Sequence, residues 1–216
     1  MMSKIVVSSS FNDVYVAYIK EGKTDLTLIN GKNSGSKIIP EIKKFFDRYK
    51  ETIDDTEEIA VDIGPGSFTG IRVLIAAVLG LTFGKKIKIK TFYSTDIIIN
   101  SLSVTGKVAV LRRARENAAY VMIYEGKNII SEPVMINGEE LKNVIGNILL
   151  AGEESMYFIK KYGLENEYTD VVIKKEAFAE ILEKSEEIKR EDLKPLYLQK
   201  PIAVEMFEKN KKMRSL

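Results

Sequence analysis

Val61-Asp62-Ile63-Gly64-Pro65-Gly66-Ser67-Phe68-Thr69-Gly70-Ile71-Arg72-Val73-Leu74-Ile75-Ala76-Ala77-Val78-Leu79-Gly80-Leu81 joins a short apolar strand to a Gly-Pro-Gly turn and then to an apolar helix. Strand, glycine turn and helix start make the usual setting of a phosphate site, because the first N–H groups of a helix have no partner within it. Gly64, Gly66 and Gly70 permit close backbone approach or positive φ, Pro65 stiffens the turn, and Ser67 or Thr69 can cap the helix. A tight strand-to-helix connection needs the same residue types, and the turn holds no lysine or Walker pattern. Both readings stand at this point. The helix itself is more informative. From Gly70 to Gly84 its only charge is Arg72, so it must be covered on more than one side. Ala76, Gly80 and Gly84, spaced by four, form a stripe of small side chains that admits a second helix. That second helix is either internal or part of another chain.

Working outward, Lys4 to Ser8, Val14 to Ile19 and Thr24 to Ile29 read as strands joined by short turns, hence an antiparallel meander. Ile38, Ile39, Ile42, Phe45, Phe46 and Tyr49 then fall on one face of a helix, with Pro40 tolerated in its first turn. Glu58 to Ile63 is a strand, Thr69 to Gly84 the apolar helix and Ile87 to Thr91 another strand. A helical stretch from Ser94 to Ser103 ends this half. The pattern restarts with strands Lys107 to Arg112, Ala118 to Tyr124 and Asn128 to Ile136. The buried strand Asn147 to Ala151 and helices Glu176 to Lys184 and Ile202 to Lys211 follow. Tyr15-Val16 followed by Glu21-Gly22-Lys23 is echoed by Tyr120-Val121 followed by Glu125-Gly126-Lys127. This repetition predicts an α/β architecture of two ribonuclease-H-like lobes with mixed sheets, residues 1–105 and 106–216, as in actin-like folds. Such folds hold ATP and magnesium between lobes, but fold alone does not establish activity.

The chain has 216 residues, balanced charge (net +2), and neither cysteine nor histidine. Disulfides, Cys/His zinc sites, Ser-His-Asp triads and Cys-His pairs are thereby excluded. The start of the chain lacks a signal-peptide core, and the longest apolar run, Val73 to Phe83, is too short to span a membrane. A soluble cytoplasmic protein is expected. Where an actin-like ATPase ends its first strand in Asp, this strand ends Val7-Ser8-Ser9-Ser10, leaving Asp13 or Asp62 as the only substitutes for a metal anchor. An ATP-dependent kinase or ATPase using one of these and the Gly64-to-Gly70 loop is the enzymatic alternative. A direct tRNA-binding module would rest on Arg112, Arg113, Arg115 and the tail Lys209 to Arg214, although such clusters are usually solvated faces.

Gly64 to Arg72 resembles the signature of the TsaB (YeaZ) family. Ile38-Ile39-Pro40, Arg113-Ala114-Arg115 with Tyr120, and Pro195-Leu196-Tyr197-Leu198 resemble its helix start, its Asp-Ala-Arg hairpin and its Pro-x-Tyr-Leu motif. The resemblance implies an actin-like (ASKHA) fold and a part in making N6-threonylcarbamoyladenosine beside the tRNA anticodon. In that system TsaD carries the metal and transfers the group, TsaB is its noncatalytic scaffold, and TsaE, an ATPase, joins the assembly. It further implies no cofactor of its own, tRNA as substrate of the complex, and homodimers through the TsaD-binding surface. That surface is built by the helices at Ile38 to Tyr49 and Thr69 to Gly84. Ile38, Ile42, Phe45, Ile71, Arg72, Ala76 and Gly80 are therefore the candidate contact or contact-shaping positions. Ser8 replaces the family's usual Asp, Gly35 its usual His and Arg113 the Asp of Asp-Ala-Arg. All three changes remove groups that could serve chemistry.

Overall fold

The computed structural model describes residues 2–11, 13–31, 34–152 and 154–198. The first half runs β1 (Ser3–Ser8), β2 (Val14–Lys20), β3 (Lys23–Ile29), α1 (Ile38–Tyr49), β4 (Thr56–Asp62), α2 (Phe68–Leu81), β5 (Lys88–Phe92) and α3 (Ser94–Asn100). The second runs β6 (Lys107–Arg115), β7 (Ala118–Glu125), β8 (Asn128–Ile129), β9 (Val134–Asn137), α4 (Leu141–Ile145), β10 (Leu149–Ala151), α5 (Ser155–Tyr162), β11 (Tyr168–Thr169), α6 (Glu176–Lys184) and β12 (Glu186–Ile188). The first sheet has the order β12-β5-β4-β1-β2-β3, the second β11-β10-β6-β7-β8, with β9 also on β7. In each, the first strand pairs antiparallel with the second and parallel with the strand after the helix. The two sheets thus repeat one topology, with α1 and α2 answered by α4 and α5.

The element list differs from expectation beyond the unread α4, α5 and β11 and the earlier ends of α2 and α3. The strand expected at Asn128 to Ile136 is two pieces, both paired with β7, interrupted at Ser131-Glu132-Pro133 where proline cannot donate to a ladder. The segment after α6 forms β12 on β5, so the chain beyond residue 105 returns to the first sheet. The helix expected at Ile202 to Lys211 and the basic tail lie outside the described residues.

Both faces of each sheet are covered, which is why the central strands read as continuous apolar runs. Ile5, Val7, Val16, Tyr18, Ile59 and Val61 face α1 and α2, while the alternate residues Val6, Ala17 and Ala60 face α3 and α6. On the second sheet Ala109 and Leu111 face α4 and α5, and Val108 and Val110 face α3. α3 is therefore the shared wall, sending Ile97 to the first sheet and Ile98 and Ile99 to the second. Among the described residues no helix is long and apolar enough to cross a membrane.

Asp96 on α3 ties these layers together and makes the fold pH-sensitive. Its oxygens accept from the Tyr93 backbone N–H at 2.9 Å and from the Tyr124 hydroxyl of β7 at 2.8 Å. Burial pushes its carboxyl up to about 6; the charge of Asp62 adds to this, and those two donors and Lys184 oppose it. Between the ordinary aspartate range and about 6 the folded chain holds a proton that the unfolded chain has lost, so stability falls as pH rises through that window. Asp96→Asn removes the charge and keeps the bond from Tyr124 to Oδ1, giving up the bond from the Tyr93 amide, whose acceptor oxygen becomes an NH2. Its stability relative to the parent is expected to rise by about 3 kcal/mol between pH 4 and pH 7, measured by denaturant titration. A difference that is flat with pH would refute the assignment.

Candidate functional site

The signature turn is held from three sides. Ser67 caps α2 by accepting from the Gly70 N–H at 3.2 Å, and its own N–H donates to the Ser10 carbonyl at 3.0 Å. The α3 start pins the turn through Ser94 N–H to the Gly64 carbonyl at 2.8 Å and Ser94 Oγ to the Pro65 carbonyl. The Leu196 N–H donates to the Ile63 carbonyl at 2.8 Å, and the Tyr197 ring meets Phe68 edge-on at 5.6 Å. Arg72 lies 3.8 Å over the Phe68 ring and 6.0 Å over Tyr197. Two sequence motifs separated by about one hundred and twenty residues therefore form one structural unit, favoured by aromatic and cation–π contacts.

The glycines decide between cradle and seat. A Cβ on Gly66 would stand 2.3 Å from the Ser10 carbonyl oxygen, and one on Gly70 2.3 Å from that of Ser9. Both glycines are therefore needed to seat the turn against the carbonyls that follow β1. Gly64 has φ +107, a backbone that L side chains rarely adopt.

Ser8 Oγ donates to Asp62 Oδ2 at 2.6 Å and the Gly64 N–H to Oδ1 at 2.7 Å. Asp62 is fully buried, and that burial raises its pKa against the donated bonds and the nearby Arg112 charge. Asp13 lies in the β1–β2 turn. Among the described residues no group of three acidic side chains gathers to hold an ion. The residues do not fit the magnesium–ATP arrangement that an actin-like fold implies.

Opposite this turn stands Arg112 of β6, only 5 % exposed. Its Nη2 donates to the Ser10 carbonyl at 3.1 Å, its guanidinium stacks 4.1 Å over Phe11, and Nε lies 3.8 Å from Glu154 Oε2. It reaches the β1–β2 turn through Nη2, while its Nε and Nη1 are buried without a hydrogen-bond partner. Arg113 is exposed and lies 5.4 Å over the Tyr157 ring, at a bulge in the β6–β7 hairpin. The hairpin thus separates the three arginines that the sequence grouped together.

The comparisons with known proteins bear on the same motifs. The model of the family "TsaD: tRNA N6-adenosine threonylcarbamoyltransferase" matches residues 29–199. The chain belongs to the TsaD family. Within it, the chain is 30% identical over 115 residues to the tRNA threonylcarbamoyladenosine biosynthesis protein TsaB of Buchnera aphidicola, covering 50% of this chain and 51% of that protein. The match thus spans about half the length of that relative. YeaZ from Pseudomonas aeruginosa superimposes with a TM-score of 0.77 at 18% identity, covering 92% of this chain and all of that one. A second structure, described as an uncharacterized protein similar to peptidase YEAZ from Pseudomonas aeruginosa, matches equally. The resemblance to TsaB (YeaZ) is thus borne out, and the chain shares the mixed α/β fold of YeaZ with its two sheets.

Within this TsaD-family fold, α1 and α2 lie side by side over the first sheet. Ile38, Ile42, Phe45 and Ile71 all point inward, each no more than 3 % exposed. They belong to the core beneath the helices and not to their outer face. Helix α2 ends at Leu81, and Gly84 sits in the following turn with φ +69, so the small-residue stripe consists of Ala76 and Gly80. Arg72, Ala76 and Gly80 are exposed, and so are four apolar residues beside them: Ile39, Phe68, Val73 and Phe83, the last 80 % exposed. Inverse periodicity would have found these four, since they occupy the positions between the core-facing residues.

Proposed function

We propose that this chain is the noncatalytic, activating partner of a TsaD transferase in making N6-threonylcarbamoyladenosine on tRNA, with TsaE joining the complex. One observation carries the reading: α2 buries Ile71, Leu74, Ile75 and Val78 and still presents Phe68, Val73, Ala76, Gly80 and neighbouring Phe83 outward. An apolar face on both sides of a surface helix, the outer one left exposed among the described residues, suits a helix-lined protein interface. The same face serves a second copy when TsaD is absent, which makes the homodimer and the TsaD complex mutually exclusive. Catalysis belongs to the partner in this reading, since the glycine seat and the bonded Asp62 leave no room for transfer chemistry here.

Reconstituting tRNA modification with and without this chain tests the role. Product formation by TsaD is expected to depend on it, and equal rates in both arms would refute it. Calorimetry of the isolated chain with ATP and magnesium is expected to show no binding heat. Saturable heat accompanied by turnover would instead support the ATPase alternative built on Gly64 to Gly70.

A further inference from the structure

Helix α2 carries the outward apolar face, and its own sequence does little to hold its far end. The last turn contains Gly80 and no basic residue. There the ladder changes: the Thr82 N–H still donates to the Val78 carbonyl at 2.9 Å, but the Phe83 N–H turns to Gly80 at 3.3 Å, so the Leu79 carbonyl lacks its helical donor. The missing donors come from 108 and 111 residues along the chain. Beyond β12, a short turn at Arg190 to Asp192 brings Arg190, half-buried, to this helix end. Its Nη1 lies 3.4 Å from the Leu79 carbonyl, and its Nη2 donates to the Thr82 carbonyl and lies 3.5 Å from that of Lys85. Leu193 then enters the core beneath α1 and α2, and Leu196 and Tyr197 reach the signature turn at the other end of the helix. One segment, Glu186 to Tyr197, thus grips α2 at both ends.

We infer that Arg190 is a positioning residue for this face: it fixes the last turn of α2 and, with it, Phe83, in the arrangement that meets a partner. The Thr82 carbonyl belongs to the peptide bond that leads into Phe83, the most exposed apolar residue of the face, so the arginine holds that residue's backbone directly. A cation suits the negative end of a helix, and the planar guanidinium fork reaches several carbonyls at once. A face ordered before binding has no such ordering left to do on contact, so the brace raises affinity without altering any residue of the face. This role rests on the reading of the outer face of α2 as the TsaD-docking surface.

The test compares the parent chain with Arg190→Gln, Arg190→Lys and Lys189→Ala, reading backbone order parameters by NMR in the free chain and affinity by titration with TsaD. Arg190→Gln is expected to lower the order parameters of Thr82, Phe83 and Gly84 from about 0.85 to below about 0.6, with Ile59 and Val61 of β4 unchanged. It is also expected to weaken TsaD binding about tenfold, the cost of ordering about one residue. Arg190→Lys retains the charge and recovers most of both, and Lys189→Ala, at an exposed position, alters neither. A merely structural contribution would lower the melting temperature and leave both readings at the parent's values. Order parameters at the parent's values in Arg190→Gln overturn the inference, and so does an undiminished affinity. A parent chain that does not bind TsaD sinks the partner reading instead, and the order parameters still decide whether Arg190 holds the end of α2.

Discussion

Gly80→Arg abolishes co-elution of this chain with TsaD while leaving its melting temperature at or slightly above that of the parent. The fold tolerates the change because a Cβ at Gly80 meets nothing within 4 Å and the position lies inside α2. Arginine is a better helix former than glycine by up to about 1 kcal/mol, so local stability should gain. At the interface the outcome reverses. A guanidinium set between Ala76 and Phe83 would be buried against an apolar partner surface without a carboxylate, at a cost of several kcal/mol. That converts to an affinity loss of about a hundredfold or more. Homodimerisation through the same face falls with it, which sedimentation at several concentrations would read independently. Undiminished co-elution of a folded Gly80→Arg variant sinks the outer face of α2 as the docking surface.

Gly66→Ala lowers the melting temperature by about 10 °C. The new methyl group would stand 2.3 Å from the Ser10 carbonyl oxygen and 2.5 Å from Ser10 Cβ. Both obstacles belong to or lie beside the backbone of the β1–β2 turn, so no side-chain rotation relieves them. Overpacking of this kind costs about 3 kcal/mol, and in a chain of this size each kcal/mol is worth about 2–4 °C. Gly80→Ala serves as the control, with open space and no expected loss. A Gly66→Ala protein melting with the parent would mean that the turn is a loose loop, and the phosphate-cradle reading would regain its footing.

Much of this was legible beforehand, and for identifiable reasons. Ile38, Ile42, Phe45 and Phe46 repeat with helical period, so α1 was readable to both of its ends. The paired Glu-Gly-Lys turns revealed the duplication, because each must supply a positive-φ glycine, Gly22 and Gly126, between antiparallel strands. The short elements α5 and β11 were not read. Ser155 to Tyr162 spans about two turns with Phe158 as its one fully buried apolar side chain, and β11 is two residues long. Neither is long enough for a periodic signal.

The candidate site divides along the same line. An apolar helix after a glycine turn, and a chain without histidine or cysteine, were properties of residue type and spacing, and they excluded histidine- and cysteine-based chemistry. Periodicity groups residues on a face but does not say whether that face turns to the sheet or to solvent. For Ile38, Ile42, Phe45 and Ile71 it was the sheet. Whether Gly66 and Gly70 cradle a ligand or seat a helix depended on the position of the Ser9 and Ser10 carbonyls, some sixty residues away in the chain. The return of β12 to the first sheet and the reach of Arg190 to the end of α2 are likewise contacts between distant segments. Local sequence determined the elements, the absence of histidine and cysteine chemistry, and the family signature, because these are written in neighbouring residues. Tertiary structure alone decided which apolar residues remain exposed and which glycines are filled, because burial is settled by what packs across the fold.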